Sequence, residues 1–340
     1  MRRLLLGLVA LLLIAAAAGA IYWQRSTAQM RAAGPHAENL QLVVKPGATV
    51  RAVLADLDAL GALEDRRAIE VQLKVRGSPR IRTGKYEIPA HASPEEILRQ
   101  LAEGRVLLES LTVVEGWTFA DMRRVVEAHP GIRSTLKGKS VAELMSAIGH
   151  EGEHPEGRFF PDTYRFADGT TDRDLFILAY RKMAEALEAA WSRRARDLPL
   201  SDPYAVLTLA SIVEKETGLA SERPRIAGVF VTRLRRNMRL QTDPTVIYGI
   251  GAAYDGNIRE RDLRTDTPYN TYTRGGLPPT PIALPSKEAI EAVVNPLETG
   301  DIFFVATGVG DGSHVFSATL EAHNAAVARY LARLRGNRNR

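Results

Sequence analysis

The chain has 340 residues, enough for about two domains, and its 45% hydrophobic and 25% charged residues exclude wholesale disorder, a collagen-like fibre and a multi-span membrane protein. It has no cysteine, which excludes disulfides, cysteine-ligated zinc, iron–sulfur clusters and thiol catalysis. Lys and Arg total 45 against 40 Asp and Glu, a net charge of +5; much of the excess sits at the chain ends, too weak and too scattered to point to nucleic acid.

After Met1-Arg2-Arg3 comes an uncharged apolar run from Leu4 to Trp23. As a helix it spans about 30 Å, the thickness of a hydrocarbon core. The run predicts a single-pass anchor at residues 4–23, with residues 1–3 as a cytoplasmic tail held by Arg2 and Arg3. Tyr22-Trp23 would sit at the far interface, and the body would lie outside the cytoplasm. A cleaved signal peptide is the competing reading, because Ala15–Ala20 offers small residues at a cut site. The length of the run and its continuation through Ile21-Tyr22-Trp23 favour the anchor. Residues 24–39 are polar and read as a linker.

From residue 40 the chain changes to short units of strand, turn and capped helix. Gln41–Val44 is strand-like, and Thr49 caps a helix over Val50–Leu60, whose Val50, Val53, Leu54, Leu57 and Leu60 recur at helical spacing. A second helix is expected around Ala68–Val75, and a short strand over Gly84–Pro89. Ser93-Pro94-Glu95-Glu96 has the N-cap, first-position proline and Glu three residues on that start a helix. Leu107–Val114 is a further strand candidate. Residues 40–110 thus read as a small α+β module.

Residues 111–340 form the second folded part. Helices predominate from 118 to 195, interrupted by Gly157–Tyr164, and a long helix covers Leu175–Arg193. An apolar helix over Tyr204–Thr217 follows, then a helix over Ser221–Arg236. Asn237 to Pro285 is rich in Pro, Gly, Asn, Thr and Tyr and has little regular patterning. Ile302–Ala306 and His314–Phe316 suit a strand pair, and a helix from Thr319 to about Leu334 closes the chain.

The Tyr204–Thr217 helix is apolar for two turns and carries two carboxylates, Glu214 and Glu216, in its last turn. The negative end of the helix dipole and apolar neighbours both disfavour a charged carboxylate, which suits a general acid. Residues two apart on a helix point in different directions, so at most one of the two faces a reaction site. Ile212 and Leu209 stack on the face of Glu216 and favour it, with Glu214 as second choice. The plain alternative is a pair of solvated helix-end charges matched by Lys215, Arg223 or Arg225.

The irregular stretch supplies candidates for substrate binding: Gln241, Asp243, Tyr248, Tyr269, Asn270 and Tyr272. Aromatic faces with amide and hydroxyl groups suit a polyhydroxylated ring such as a glycan, and a loop of this length inside a domain is usually functional. Each residue also has a plain reading, as part of a loop satisfying its own backbone. No metal-ligand spacing, phosphate loop, dinucleotide fingerprint or nucleophile elbow is present, so no metal and no cofactor is expected.

Several motifs together resemble the endolytic murein transglycosylases, the YceG-like family. They are Val114-Glu115-Gly116, Phe159-Phe160-Pro161-Asp162-Thr163-Tyr164, Glu214-Lys215-Glu216-Thr217, Ala220-Ser221-Glu222-Arg223, Val229-Phe230 with Arg233-Leu234, Met238 to Thr245, Tyr248-Gly249, Tyr269-Asn270-Thr271-Tyr272, Gly276-Leu277-Pro278-Pro279 and His323-Asn324. The resemblance implies an α+β protein with an inner-membrane anchor, N-terminus in the cytoplasm and body in the periplasm. It further implies a LysM-like module at 40–110 and a lytic-transglycosylase-like catalytic domain at 111–340. The implied reaction cleaves the bond between N-acetylmuramic acid and N-acetylglucosamine in nascent glycan strands, leaving a 1,6-anhydromuramoyl end and terminating polymerisation. The implied partners are peptidoglycan strands and peptidoglycan synthases. Such enzymes use a single glutamate, typically in a Glu-Ser pair ending a buried helix; Glu216-Thr217 is the nearest match here. Two other classes stay open at this stage: a non-catalytic scaffold binding peptidoglycan or its synthases, and a lysozyme-type hydrolase.

Overall fold

A computed structural model describes residues 2–338 of the chain. Met1, in the expected cytoplasmic tail with Arg2 and Arg3, and the final residues 339 and 340 lie outside the described residues, as do the side chains of residues 2–5 and 336–338. The architecture is mixed α+β and divides into two compact units, residues 1–109 with 165–170, and residues 110–164 with 171–340.

The first unit opens with one continuous helix, α1 (Arg2–Arg31), long and apolar enough to cross a membrane. Residues 24–31, expected as linker, continue this helix. The reason is packing: Ser26 and Met30 are buried, and α1 lies against α3 (Arg66–Arg76) and α4 (Pro94–Glu103). Strand β1 (Leu40–Val44) pairs antiparallel with β2 (Gly84–Ile88), Leu40 opposite Ile88 and Val44 opposite Gly84. Between them run α2 (Val50–Ala59) and α3. Thr49 caps α2 through the Ala52 N–H, and Asp65 caps α3 through the Ala68 N–H. The helix at Ser93 starts as its sequence dictates, with Ser93 and Glu96 forming a reciprocal capping box. Leu42, Val44, Leu54, Leu57, Ile69, Tyr86, Ile88, Ile97 and Leu101 bury each other in one core, which Met30 of α1 joins.

The second unit is mainly helical. In chain order come β3 (Leu108–Thr112), α5 (Phe119–Ala128), β4 (Ile132–Arg133), α6 (Val141–Ala147), β5 (Thr163–Ala167), β6 (Thr170–Thr171) and α7 (Asp172–Trp191), with β3, β5 and β6 each crossing a unit boundary. Phe119, Phe159 and Phe176 pack their rings together with centroids 5.1–6.0 Å apart. The main core lies among α7, α8 (Pro203–Glu216), α9 (Arg223–Arg235) and α12 (Lys287–Val294). Gly228 of α9 has a packing reason: a Cβ there would meet the Leu297 carbonyl oxygen at 2.1 Å. The irregular stretch contains two short helices, α10 (Asp243–Ile250) and α11 (Glu260–Arg264). The chain closes with an antiparallel pair, β7 (Phe303–Ala306) and β8 (His314–Ser317), and α13 (Leu320–Arg338).

Candidate active site

Helix α8 explains why an acid can stand at the edge of a dry core. Asp202 caps it by accepting from the Ala205 N–H at 2.9 Å, Pro203 occupies the first turn, and Val206 through Val213 are buried without interruption. The helix stops at Glu216 because Thr217 turns extended. Glu216 therefore sits at the negative end of the helix dipole and next to the core.

Glu216 keeps part of its surface open, and burial of its carboxyl pushes its pKa up to about 7. The hydroxyl of Thr242 donates to its Oε1 in a close contact and opposes the rise; the negative charge of Asp243 adds to it. The charges of His314 and Arg233 act in the lowering direction. Near neutral pH the group is poised between acid and base forms.

The loop that brings Thr242 to Glu216 is fixed by a hydroxyl network. Thr242 N–H donates to Thr271 Oγ1 at 3.1 Å, Thr245 Oγ1 donates to the Thr242 carbonyl at 2.8 Å, and the Thr245 and Thr271 hydroxyls are 2.9 Å apart. Gln241, just before Thr242, is held at φ 49°, a left-handed conformation costly for a residue with a side chain, while its own side chain is exposed. Its N–H donates to the Thr271 carbonyl at 3.2 Å. Asp243 begins α10, and the Tyr272 hydroxyl donates to its Oδ1 at 2.6 Å. Arg233 reaches in from α9, anchored by Nε to the Ile302 carbonyl at 2.7 Å and Nη1 to the Leu240 carbonyl at 2.6 Å. His314 Nδ1 stands 2.7 Å from Glu222 Oε2.

Of the candidates read from the sequence, Asp243 and Tyr272 act on Glu216, and Gln241 directly precedes the Thr242 that contacts it. Asn270 does not present its amide to a ligand: Nδ2 donates to the carbonyls of Asp262, Leu263 and Thr265, and Oδ1 accepts from the Tyr272 N–H. It is the loop's internal brace, the outcome that Asn propensity for turns favours. Tyr248 and Tyr269 pack edge to face with centroids 4.9 Å apart and serve a second group of polar residues. Tyr248 OH donates to Glu156 Oε2 at 3.0 Å, and the Tyr269 hydroxyl lies 2.9 Å from that of Thr280.

Glu214 points elsewhere. Its Oε2 accepts from the Ser286 N–H at 3.0 Å and closely from the Ser286 hydroxyl; Oε1 faces Arg223 Nη2 at 3.5 Å. Its pairing with Arg223 agrees with the plain reading of this helix end. The side chain is only 6% exposed, however, so the pair is buried rather than solvated.

Sequence reasoning passed over Glu156, Thr242 and Arg233 as individual site residues. Arg233 left a signal, a lone cation continuing the buried Ile226, Val229, Phe230 stripe of α9. Glu156 left little, since Pro155-Glu156-Gly157 looks like a surface turn; in the fold it is 4% exposed and accepts from the Phe119 N–H at 2.9 Å. Burial pushes its carboxyl up to about 7.

That second acid has a stability consequence. The folded state keeps a proton on Glu156 that the unfolded chain releases above its ordinary value of 4.5, so stability from this group falls as pH rises from 4.5 to about 7. Glu156→Gln retains an acceptor for the Phe119 N–H and cannot ionise. Its stability relative to the parent protein should therefore climb between about pH 5 and pH 8, by roughly 3 kcal/mol at most. Thermal melts of both proteins at the two pH values read this difference. A gap that is the same at both would show that Glu156 does not titrate in this window.

Comparison with known proteins agrees with these observations. The chain is 29% identical to the endolytic murein transglycosylase of Bacillus subtilis (strain 168) over 309 residues, covering 85% of this chain and 84% of that protein. It is 26% identical to the endolytic murein transglycosylase of Streptococcus pneumoniae (serotype 2, strain D39), where 85% of this chain covers 58% of the longer relative. A crystal structure of a YceG-like protein from Listeria monocytogenes matches with a TM-score of 0.52 and 26% identity over 85% of this chain and 99% of that one. Residues 42–329 match the YceG-like family, and the chain belongs to that family.

Proposed function

We propose that this chain is an endolytic murein transglycosylase, with Glu216 as its single acid–base catalyst. One observation carries the reading: a carboxyl at the end of a buried helix, desolvated to a pKa of about 7, with a hydroxyl partner and a carboxylate neighbour. The names of the Bacillus and Streptococcus relatives support the same activity.

In the neutral form Glu216 protonates the oxygen between N-acetylmuramic acid and N-acetylglucosamine. Its carboxylate then accepts the proton of the muramoyl C6 hydroxyl as that oxygen attacks C1, closing the 1,6-anhydro ring without consuming water. A group poised near neutral pH serves both halves. The substrate's own N-acetyl group and the Asp243 carboxylate, oriented by Tyr272, stabilise the developing oxocarbenium charge. The exposed side chain of Gln241 supplies an amide for glycan hydroxyls, and the phenol oxygen of Tyr272, whose proton goes to Asp243, can accept from one.

The Asp243 charge near Glu216 also gives specific support to a lysozyme-type hydrolase, which needs two carboxylates. Mass spectrometry of products from purified glycan strands separates the two. Anhydro ends are lighter than reducing ends by one water, and reducing ends from the purified protein would sink the transglycosylase reading.

The same proposal assigns α1 as an uncleaved inner-membrane anchor, N-terminus cytoplasmic and body periplasmic. Residues 40–110 are assigned as a LysM-like module and 111–340 as the catalytic domain, acting on nascent strands beside their synthases and terminating them. The length and apolarity of α1 support the anchor, and the separate core of the first unit supports a distinct module. The mature chain should float with membranes and resist salt extraction; a mature N-terminus near Ala20 in a soluble fraction would refute the anchor.

A further inference from the structure

Helix α1 does not end where its apolar run ends. It continues without a break to Arg31 and is fastened to α3 along the way: Gln72 Nε2 donates to Ser26 Oγ at 2.6 Å and Thr27 Oγ1 at 3.1 Å, and reaches the Trp23 carbonyl at 3.5 Å. Met30 is buried in the same core as Ile69 and Leu73. Arg31 pairs with Glu95 of α4 at 3.1 Å, and the Arg76 guanidinium lies over the Trp23 ring at 5.9 Å from its centroid. Met30 keeps company with Ile69 and Leu73 while Trp23 meets Gln72 and Arg76, so α3 runs antiparallel to α1. Its C-terminal end points toward the apolar part of α1.

That end is cationic and open. Lys74, Arg76 and Arg80 are exposed, as is Arg25 on α1, and Val75 is 67% exposed. Among the described residues none of these four cations has a carboxylate partner. Cations in the last turn of a helix offset its dipole, which accounts for Lys74 and Arg76. It does not account for Arg80 or Arg25, which lie outside that turn.

We propose that the C-terminal end of α3, with Lys74, Arg76 and Arg80 beside Arg25, is seated on anionic phospholipid headgroups at the foot of the anchor, so that the small module stands directly on the bilayer. The proposal rests on the anchor reading of α1. A helix continuous through the interface fixes where the module sits, since it leaves no flexible linker between span and fold. Trp23 marks the interfacial depth, as aromatic residues do at membrane boundaries. Arg76 above its ring therefore lies at headgroup level, where cations near an anionic surface each shift the contact equilibrium by roughly fivefold and salt screens the effect.

The absence of cysteine makes the test direct. The full-length chain is reconstituted with a single fluorophore at Ser78→Cys, just past α3, or at Arg67→Cys near its other end, about 15 Å further along the helix. The vesicles are either mixed phosphatidylcholine and phosphatidylglycerol or phosphatidylcholine alone, each doped with a headgroup-nitroxide lipid. The label at Ser78→Cys should be quenched at least about threefold more than the label at Arg67→Cys in the mixed vesicles, and high salt should reduce that ratio. Charge reversal (K74E, R76E, R80E) should abolish the excess quenching in mixed vesicles. The milder K74Q, R80Q pair, which leaves Arg76 on Trp23, should lower it in the same direction. Equal quenching at the two labels would overturn the proposal, as would excess quenching that is identical in both vesicle types and indifferent to both variants. Failure of the protein to float with vesicles would instead remove the anchor and, with it, this inference.

Discussion

Glu216→Gln should reduce formation of 1,6-anhydromuramoyl ends by at least about 10⁴-fold. General acid or base help from one side chain is worth roughly 10²–10⁴, and here a single group performs both halves of the reaction. The substitution is nearly isosteric and keeps an oxygen for the Thr242 hydroxyl, so the loss reports chemistry rather than collapse. The pH profile of the parent protein gives an independent reading of the same group. The acid form must be present when the strand binds; burial has raised the carboxyl to about 7. kcat/KM should therefore be level on the acid side of that value and fall about tenfold per pH unit on the alkaline side. Turnover by Glu216→Gln at the parent rate would end the catalytic reading of α8. A Glu214→Gln protein that makes no anhydro product while Glu216→Gln works normally would mean that the other face of the helix carries the chemistry.

What was legible in the sequence follows the range of the interactions involved. The caps at Thr49 and Ser93 act within three residues, and their helices begin where the caps place them. The apolar run of α8 forecasts a helix buried along two turns and an acid at its end, because hydrophobic patterning is also local. Continuation of α1 through residues 24–31 depends on Gln72 and on the core around Ile69, some forty residues away, and no local pattern announces it. The same limit governs the site. Gln241, Asp243 and Tyr272 could be selected by residue type, but whether an Asn or Tyr in the irregular stretch meets a ligand or braces the loop depends on long-range partners. Asn270 braces backbone carbonyls, whereas Tyr248 meets Glu156, 92 positions earlier in the chain. Glu156 looks solvated in sequence because burial of a charged residue type is set by tertiary packing alone.

Glu214 should prove a structural residue whose loss is felt in stability more than in turnover. Its carboxylate accepts two hydrogen bonds from Ser286, whose own hydroxyl accepts from the Ala289 N–H at 3.1 Å and so caps α12. A carboxylate at that spot also meets the positive end of the α12 dipole. On its other side stands Arg223, whose side chain is 12% exposed and whose Nε is buried without a hydrogen-bond partner among the described residues. Glu214→Ala strips the Ser286 N–H of its acceptor and removes the carboxylate facing Arg223, leaving Glu115 as the other acidic group acting on that cation. Breaking one side of a buried pair costs about 3–5 kcal/mol, a large fraction of a typical domain's stability. Glu214→Gln keeps one acceptor oxygen for Ser286 and loses the charge, so its cost should fall between the parent protein and Glu214→Ala. Thermal or urea unfolding of the three proteins should show this order. The folded fraction of Glu214→Gln should still release anhydro ends at a rate close to the parent's, because Glu216, Thr242 and Asp243 do not use Ser286 or Arg223. If Glu214→Ala melts with the parent protein, the clip between α8 and α12 holds nothing together, and Glu214 regains its standing as a catalytic candidate.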